Sequence, residues 1–135
     1  MALQGCLAGL FLGPIATGDK VASLTSVSNS STRDTLDVTT FDSSCFREFI
    51  VGLGGGSIDI SGFYDPTDTA GQVALETAFY AGTLLNTTQK PVFSVDGTNG
   101  FTADAYIASY KIDAAVGAVV NFSATLQLTG TIAVV

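Results

Sequence analysis

The sequence predicts a mainly antiparallel β protein, built as a β-sandwich or half-barrel with one flanking α-helix. Three observations favour this fold: long stretches alternate apolar and polar residues, turn-forming segments separate them, and a single stretch has apolar residues at helical spacing. The chain has 135 residues, of which 47% are hydrophobic and 13% are charged. A chain of this length and composition can bury one core, so we expect a single domain over 1–135.

The clearest strand pattern lies between 121 and 129, where polar residues hold the odd positions and apolar residues the even ones. Two segments predict turns: Gly54-Gly55-Gly56, and the hairpin signal Asp-Gly-Thr-Asn-Gly at 96–100. The apolar run before residue 18 is broken by glycines and lacks a positive start. We therefore expect it to be a strand rather than a signal peptide or a membrane span. Shorter patterns predict strands at 21–27, 35–41, 46–51, 58–64 and 91–95, and a further long strand is predicted at 101–112.

Residues 66–81 have the pattern of an amphipathic helix. Asp65 can cap it, Pro66 suits the first helical position, and Gly82 is a natural stop. The same pattern places Gln72 on the solvent side of the helix. The polar segment at 28–34 contains neither glycine nor proline, which predicts an extended loop. That loop is either an ordinary solvated connection or an arm that becomes ordered on a partner.

Composition excludes several kinds of chemistry. The absence of histidine removes Ser-His-Asp and Cys-His catalysis and most zinc sites. The glycine-rich segment 52–57 lacks the remaining features of a nucleotide-binding loop, so we expect neither a cofactor nor an enzyme. A net charge of −7 argues against a protein that grips nucleic acid by its phosphates. Cys6 and Cys45 are far apart in sequence; they can form one disulfide, but two reduced thiols are the expectation.

Four segments, taken in order, resemble the phage tail tube protein family. Residues of this kind occur in strands and have no catalytic role that would identify a family. The resemblance therefore rests on the order and the spacing of the four segments. The segments are Ser-Asn-Ser-Ser-Thr-Arg-Asp-Thr-Leu-Asp-Val-Thr-Thr-Phe-Asp (28–42), Phe-Arg-Glu-Phe-Ile-Val-Gly-Leu (46–53), Ser-Ile-Asp-Ile-Ser-Gly-Phe-Tyr-Asp (57–65) and Ala-Val-Gly-Ala-Val-Val-Asn-Phe-Ser-Ala-Thr-Leu-Gln-Leu-Thr-Gly (115–130).

The resemblance implies hexameric rings that stack into a hollow tail tube, through which the viral genome passes without sequence-specific binding. It implies a virion protein assembled in the host cytoplasm, with no membrane insertion. Its expected partners are other copies of itself, a tail-tip or baseplate initiator, a tape-measure protein, a tail terminator and, in contractile tails, a sheath. Two alternatives stay open: another all-β virion component such as a terminator or decoration protein, and a non-catalytic carbohydrate-binding β-sandwich.

Strand parity and the resemblance together suggest three sets of site residues. Arg47 and Glu48 are candidates for contacts between neighbouring subunits, and Asp59 and Asp104 for the lumen. The uncharged polar positions between 121 and 129 face either the lumen or the outside, and a register slip of one residue would invert these placements. The candidates for contacts between rings are Asn29, Ser30, Ser31, Thr32, Arg33 and Asp34.

Overall fold

Strands make up most of the fold in a computed structural model that describes residues 8–13, 19–86, 89–97 and 99–134. A short 3-10 turn, Phe41–Ser43, lies between the two longest neighbouring strands. The regular elements in chain order are β1 (Gly9–Leu12), β2 (Asp19–Lys20), β3 (Leu24–Asp37), β4 (Phe49–Phe63), α1 (Gln72–Ala81), β5 (Pro91–Ser94), β6 (Gly100–Asp113) and β7 (Asn121–Val134).

The strands form one sheet in the order β2-β1-β5-β6-β7-β4-β3, and every neighbouring pair is antiparallel. The mainly antiparallel β class with one helix is thereby confirmed. Because all of these strands belong to one hydrogen-bonded sheet, the half-barrel describes the fold better than two stacked sheets. β1, near one edge, also contacts β3 at the other edge, so the sheet curls towards closure.

One face of the sheet carries the core. In β7 the even positions from 122 to 128 are buried and the odd positions are not, as the alternation between 121 and 129 predicts. Helix α1 packs on this face through Leu75 and Ala78 and contacts β6. The larger buried side chains of the core include Leu10, Val21, Ile58, Leu75, Leu85, Phe122 and Leu126. No helix in the described ranges is long and apolar enough to cross a membrane.

Helix α1 begins later than predicted, because residues 66–71 form turns. Asp65 is therefore not its cap: the Asp65 carboxylate accepts hydrogen bonds from the backbone N–H and the hydroxyl of Thr67. Asp68 serves the helix start instead, since its Oδ2 accepts from the backbone N of Gln72 at 3.1 Å and of Ala22 at 2.8 Å. Gly82 ends the helix with φ +68°, a left-handed conformation, as predicted.

Gln72 is fully buried rather than exposed, contrary to the helical pattern. Its Nε2 donates to the backbone oxygens of Ala22 at 2.7 Å and Phe63 at 2.9 Å. Its Oε1 accepts from the backbone N of Asp65 at 2.8 Å. The amide thus satisfies three partly buried backbone groups, and it fastens the helix to the turn before β3 and to the end of β4.

Two loop predictions are wrong. The extended loop predicted at 28–34 lies inside β3, where Ser28 pairs with Asp59 and Ser31 with Gly56. The turn predicted at Gly54-Gly55-Gly56 lies inside β4. Pairing between the two strands outweighs the local turn preference of these residues, since serine, threonine and glycine suit an edge where the backbones approach closely. A Cβ at position 56 would lie only 2.9 Å from the Ser31 Oγ.

The predictions for the hairpin and for the N-terminal strand agree with the structure. The hairpin at 96–100 is confirmed, since Ser94 pairs with Gly100. The N-terminal strand appears as β1, between β2 and β5. Cys45 is exposed and free, whereas Cys6 lies outside the described residues.

Tyr110 stacks between Phe79 and Phe122, at centroid distances of 6.3 and 6.0 Å. Its Oη is buried and has no hydrogen-bond partner in the part of the chain that the structure describes. Burial, assisted by the negative charge of Glu76, raises the pKa of Tyr110 to about 12. The hydroxyl therefore stays neutral in the folded chain well above the pH at which a free tyrosine ionises.

We expect Tyr110→Phe to raise the free energy of unfolding by about 1 kcal/mol, because it removes a buried hydroxyl without a partner. Above pH ~10 this difference in the free energy of unfolding should increase. Tyr110 ionises there in the unfolded parent but not in the folded parent, and this ionisation favours unfolding of the parent. Urea unfolding at pH 7 and pH 10.5 measures both effects. Tyr106→Phe, at an exposed tyrosine, is the control, and equal midpoints for both variants would contradict the prediction.

Candidate assembly surfaces

A two-stranded ribbon extends β3 and β4 beyond the rest of the sheet. β4 pairs with β7 only from Ser57 to Phe63. Among the described residues, 31–37 and 49–56 therefore pair only with each other. We call residues 31–56 the arm and residues 38–48 the arm tip. Every residue from 31 to 51 is exposed except Ser43, so the arm receives almost no cover from its own chain.

The arm tip is ordered by its own hydrogen bonds. Thr40 and Ser43 form a capping box around the 3-10 turn. The backbone N of Val38 donates to the Glu48 oxygen at 2.9 Å, and the backbone N of Glu48 donates to the Thr39 Oγ1 at 2.8 Å. Hydrogen bonds from the Thr39 hydroxyl and backbone lower the pKa of the Asp37 carboxyl. The tip thus has a defined shape before it meets any partner.

Apolar side chains lie on both faces of the arm. Leu36 pairs with Ile50, which puts these two side chains on one face. Phe49 and Val51 alternate with Ile50 along β4 and therefore lie on the other face. All four are at least half exposed, and at the tip Phe41 is fully exposed. Burying a large apolar side chain yields about 1.5–3 kcal/mol, so both faces are candidates for contact with other chains.

The six residues predicted to join rings lie at the base of the arm and on the adjoining part of β3. The Arg33 side chain lies over Gly54, since a Cβ added to Gly54 would lie 3.1 Å from the Arg33 Nη2. With Phe101, Ile132 and Val134, Arg33 lines a groove of about 530 Å³. Within the described ranges Arg33 makes no ion pair, so its charge is available to a partner.

Arg47 and Glu48 lie in the arm tip, in the loop that precedes β4, and not in a strand as the pattern of 46–51 predicts. Neither side chain forms an ion pair within the described part of the chain. They lie at the opposite end of the arm from residues 29–34. The structure therefore does not bring the two predicted contact sets together, although both belong to the same extended ribbon.

The face of the sheet opposite the core is polar across four strands. Asp59 lies at its centre, and its Oδ1 accepts a hydrogen bond from the Thr125 Oγ1 at 2.7 Å. Asp104 lies on the same face and forms a loose ion pair with Lys90 at 3.8 Å. The structure thus places both predicted lumen residues on one surface, which we call the polar face. Register pairs its central residues in three rows: Ser30, Ser57, Gln127 and Tyr106; Ser28, Asp59, Thr125 and Ser109; Ser26, Ser61, Ser123 and Lys111.

Sequence reasoning missed a further surface, the apolar loop at 114–120, Ala-Ala-Val-Gly-Ala-Val-Val. The backbone N of Ala118 donates to the Ala115 oxygen at 3.2 Å, and Gly117 has φ +81°, as a tight turn requires. Val116, at the turn, is fully exposed. The available signal was a run of small apolar residues that has no polar side chain and lacks a turn's usual polar residues.

This loop is held at one end of the sheet. The Val120 oxygen accepts a hydrogen bond from the backbone N of Tyr64 at 2.9 Å, directly after β4 ends. β4 begins at the arm tip, so the loop and the arm tip lie at opposite ends of the same strand. The described residues contain no group of three or more side chains arranged to hold a metal ion. What the chain presents to its surroundings is therefore a set of contact surfaces.

Comparisons with known proteins identify solved chains of the same fold. The virion of a native gene transfer agent particle contains a chain that matches with a TM-score of 0.80 at 17% identity, over 99% of both chains. A tail of an empty gene transfer agent particle, refined with C6 symmetry, gives the same values. The SPP1 tail tube matches with a TM-score of 0.69 at 22% identity, over 96% of this chain and 77% of that one. At such identities these likenesses show the fold.

No curated protein sequence matches this one significantly. The family model described as phage tail tube protein, however, matches residues 13–134, which is nearly the whole chain. This match confirms the resemblance found in the four ordered segments. The chain therefore belongs to the phage tail tube protein family, and its role is a structural one in the tail tube.

Proposed function

We propose that six copies of this chain form a ring and that the rings stack into a hollow tube that conducts the genome. The observation that carries the proposal is the arm, which exposes apolar side chains on both faces and has almost no cover from the described residues of its own chain. Burial of these exposed side chains between copies would supply the free energy for assembly. The gene transfer agent tail of the same fold has C6 symmetry, which supports six as the number of copies.

A ring closes when the same head-to-tail contact is repeated from one subunit to the next and the rotations between subunits add up to a full turn. β3 is an edge strand, and its outer backbone groups are free to pair with another chain. Residues 29–34 lie on this edge, and we propose that they and the arm contact neighbouring copies. Arg33 supplies a charge for an ion pair across the boundary between rings, while Arg47 and Glu48 extend the contact at the arm tip.

We propose that the polar face lines the bore. Hydroxyl and amide side chains are hydrated and carry no positive charge to hold phosphate, and Asp59 and Asp104 repel a polyanion. Its basic residues are few, and one of them, Lys111, lies 3.5 Å from the Asp113 carboxylate. DNA carries about one charge per 1.7 Å of its axis, so even a modest cationic lining would hold it through many contacts. A lining of this composition lets the duplex slide.

The remaining roles follow from the tube. A tail-tip or baseplate initiator, a tape-measure protein, a terminator and, in a contractile tail, a sheath are the proposed partners. Assembly in the host cytoplasm precedes incorporation into the virion. The chain performs no catalysis in this scheme, since its contribution is shape, adhesion between copies and a non-adhesive bore.

Negative-stain electron microscopy of the purified chain, with light scattering at several concentrations, tests the proposal. Hollow tubes or stacked rings are the expected result. Discrete rings that never stack would favour a tail terminator. A monomer that stays inert even when tail-tip complex is added would contradict the proposal and return attention to a binding module.

Reversing the charge at the arm base should weaken stacking. Arg33→Glu is expected to raise the protein concentration needed for tubes about tenfold, because a surface ion pair is replaced by repulsion in six copies of each ring. The exposed position leaves the fold intact, which circular dichroism can confirm. Lys20→Glu, which makes the same charge change at the far edge of the sheet, is the matched control. Tubes of normal length at normal concentration would show that Arg33 has no stacking role.

A further inference from the structure

The arm tip and the apolar loop at 114–120 have the same unusual character. Each is a short, ordered turn that presents apolar side chains to solvent. Phe41 is fully exposed and Phe46 is 76% exposed at the tip, while Val116 is fully exposed and Val119 is 62% exposed in the loop. Exposed apolar clusters of this kind mark sites of association. Both clusters lack cover from the described parts of their own chain.

Their separation excludes a contact within one chain. β4 joins the two ends and has 15 residues, which corresponds to about 45–50 Å at the usual rise of a strand. Two surfaces at opposite ends of such a strand meet only when another copy is displaced along the strand direction. The same displacement applied again adds a further copy, so a contact of this kind is open-ended and builds a fibre or tube.

We propose that the arm tip of one copy docks on the loop at 114–120 of a copy in the next ring. This inference rests on the proposed stacking of rings. Phe41 and Phe46 pack against Val116 and Val119, so that each side covers the other's apolar side chains. The occupant is a second copy of this chain, because the chain itself carries both surfaces at the required spacing.

One pair of opposite charges supports this pairing, in a tip that also carries Asp42 and Glu48. Arg47, beside Phe46 in the tip, makes no ion pair within the described residues. Asp113 lies at the foot of the loop, and its carboxylate has only Lys111 nearby, at 3.5 Å, with both side chains more than 60% exposed. A docked tip brings Arg47 towards Asp113. The loop itself carries no charge that would oppose burial.

The size of the contact explains why rings, and not single copies, would stack. An aromatic side chain buries roughly 150–250 Å², so two phenylalanines against two valines cover well under the ~1,200 Å² of a stable pairwise interface. Six such contacts act together when one ring meets another. Their combined area reaches the range of permanent interfaces, and the affinity gains from multivalency.

Cys45 in the arm tip supplies a built-in probe, because its thiol is exposed. In a Cys6→Ser background, Val116→Cys places a second thiol in the loop. A short bismaleimide added to assembled tubes should then link chains into a ladder, with position 45 joined to position 116. Cys45→Ser in the same background, and Thr77→Cys on helix α1 in place of Val116→Cys, are the controls and should leave single chains.

A second variant measures the energetic role of the loop. Val116→Glu lies on an exposed turn, so the chain should fold and form rings, but tubes should need at least tenfold more protein. Tubes of Val116→Glu at the parent concentration, or cysteine-bearing tubes that never link 45 to 116, would overturn the docking. Failure of the parent chain to form rings or tubes would instead count against the proposed function.

Discussion

Replacing Gln72 by glutamate should lower the free energy of unfolding by about 3 kcal/mol at pH 7. The buried amide donates to the backbone oxygens of Ala22 and Phe63. A carboxylate in its place donates nothing, leaves both oxygens without a partner and brings its charge close to the Asp68 carboxylate. Urea unfolding of the unassembled chain, followed by circular dichroism, measures the loss.

The loss should also depend on pH. Burial beside carbonyl oxygens raises the pKa of the introduced carboxyl above its value in the unfolded chain. Its protonated form can donate one hydrogen bond, so the variant recovers stability below pH ~4 and loses it as pH rises through the raised pKa. Thr77→Glu, on the exposed side of the same helix, should change stability by less than about 0.5 kcal/mol. Equal urea midpoints for Gln72→Glu and the parent would contradict the assigned role.

Charges placed on either face of the arm should abolish tubes while leaving the chain folded. Ile50→Asp and Val51→Asp change neighbouring residues of β4 whose side chains lie on opposite faces. If both faces are buried between copies, each variant puts an unpaired carboxylate into an interface, which should raise the concentration needed for assembly far more than tenfold. Sedimentation of assembled material at several concentrations measures the effect.

The matched control is Ser109→Asp, which adds the same charge to an exposed strand position on the polar face. We expect it to assemble as the parent does, because that face lines the bore in the proposed tube. Loss of assembly in only one of the two arm variants would show that the other face of the arm is free. Normal assembly of both would remove the arm from the interface altogether.

Periodicity predicted the parts of the fold in which the chain buries its own side chains. β7 alternates because one of its faces packs on the core, and the pattern at 121–129 records that constraint directly. The arm obeys no such constraint, because neither face is buried within the chain. Polar residues at 28–34 and three consecutive glycines therefore suggested loops where two strands pair with each other.

The prediction that Gln72 is exposed was wrong for a related reason. A polar side chain is normally predicted to be exposed. Gln72 is buried, however, and its amide is needed there because three backbone groups around it require hydrogen-bond partners. The apolar loop at 114–120 and the run Phe49–Gly52 read as ordinary hydrophobic sequence. Composition cannot distinguish burial within a chain from burial between chains. The exposed fractions of the side chains separate the apolar residues that are buried within the chain from those that are not.

The hydrogen bonds that order the arm tip have a consequence for how fast a tube can lengthen. Fixing the backbone of a flexible residue costs about 1–2 kcal/mol, so a disordered tip would lose much of its contact free energy on docking. A tip that already holds its shape through Thr39, Thr40 and Ser43 avoids most of that loss. In the proposed tube, elongation then resembles the collision of preformed parts, which is limited by orientation and not by folding, and the slow event is the formation of the first ring.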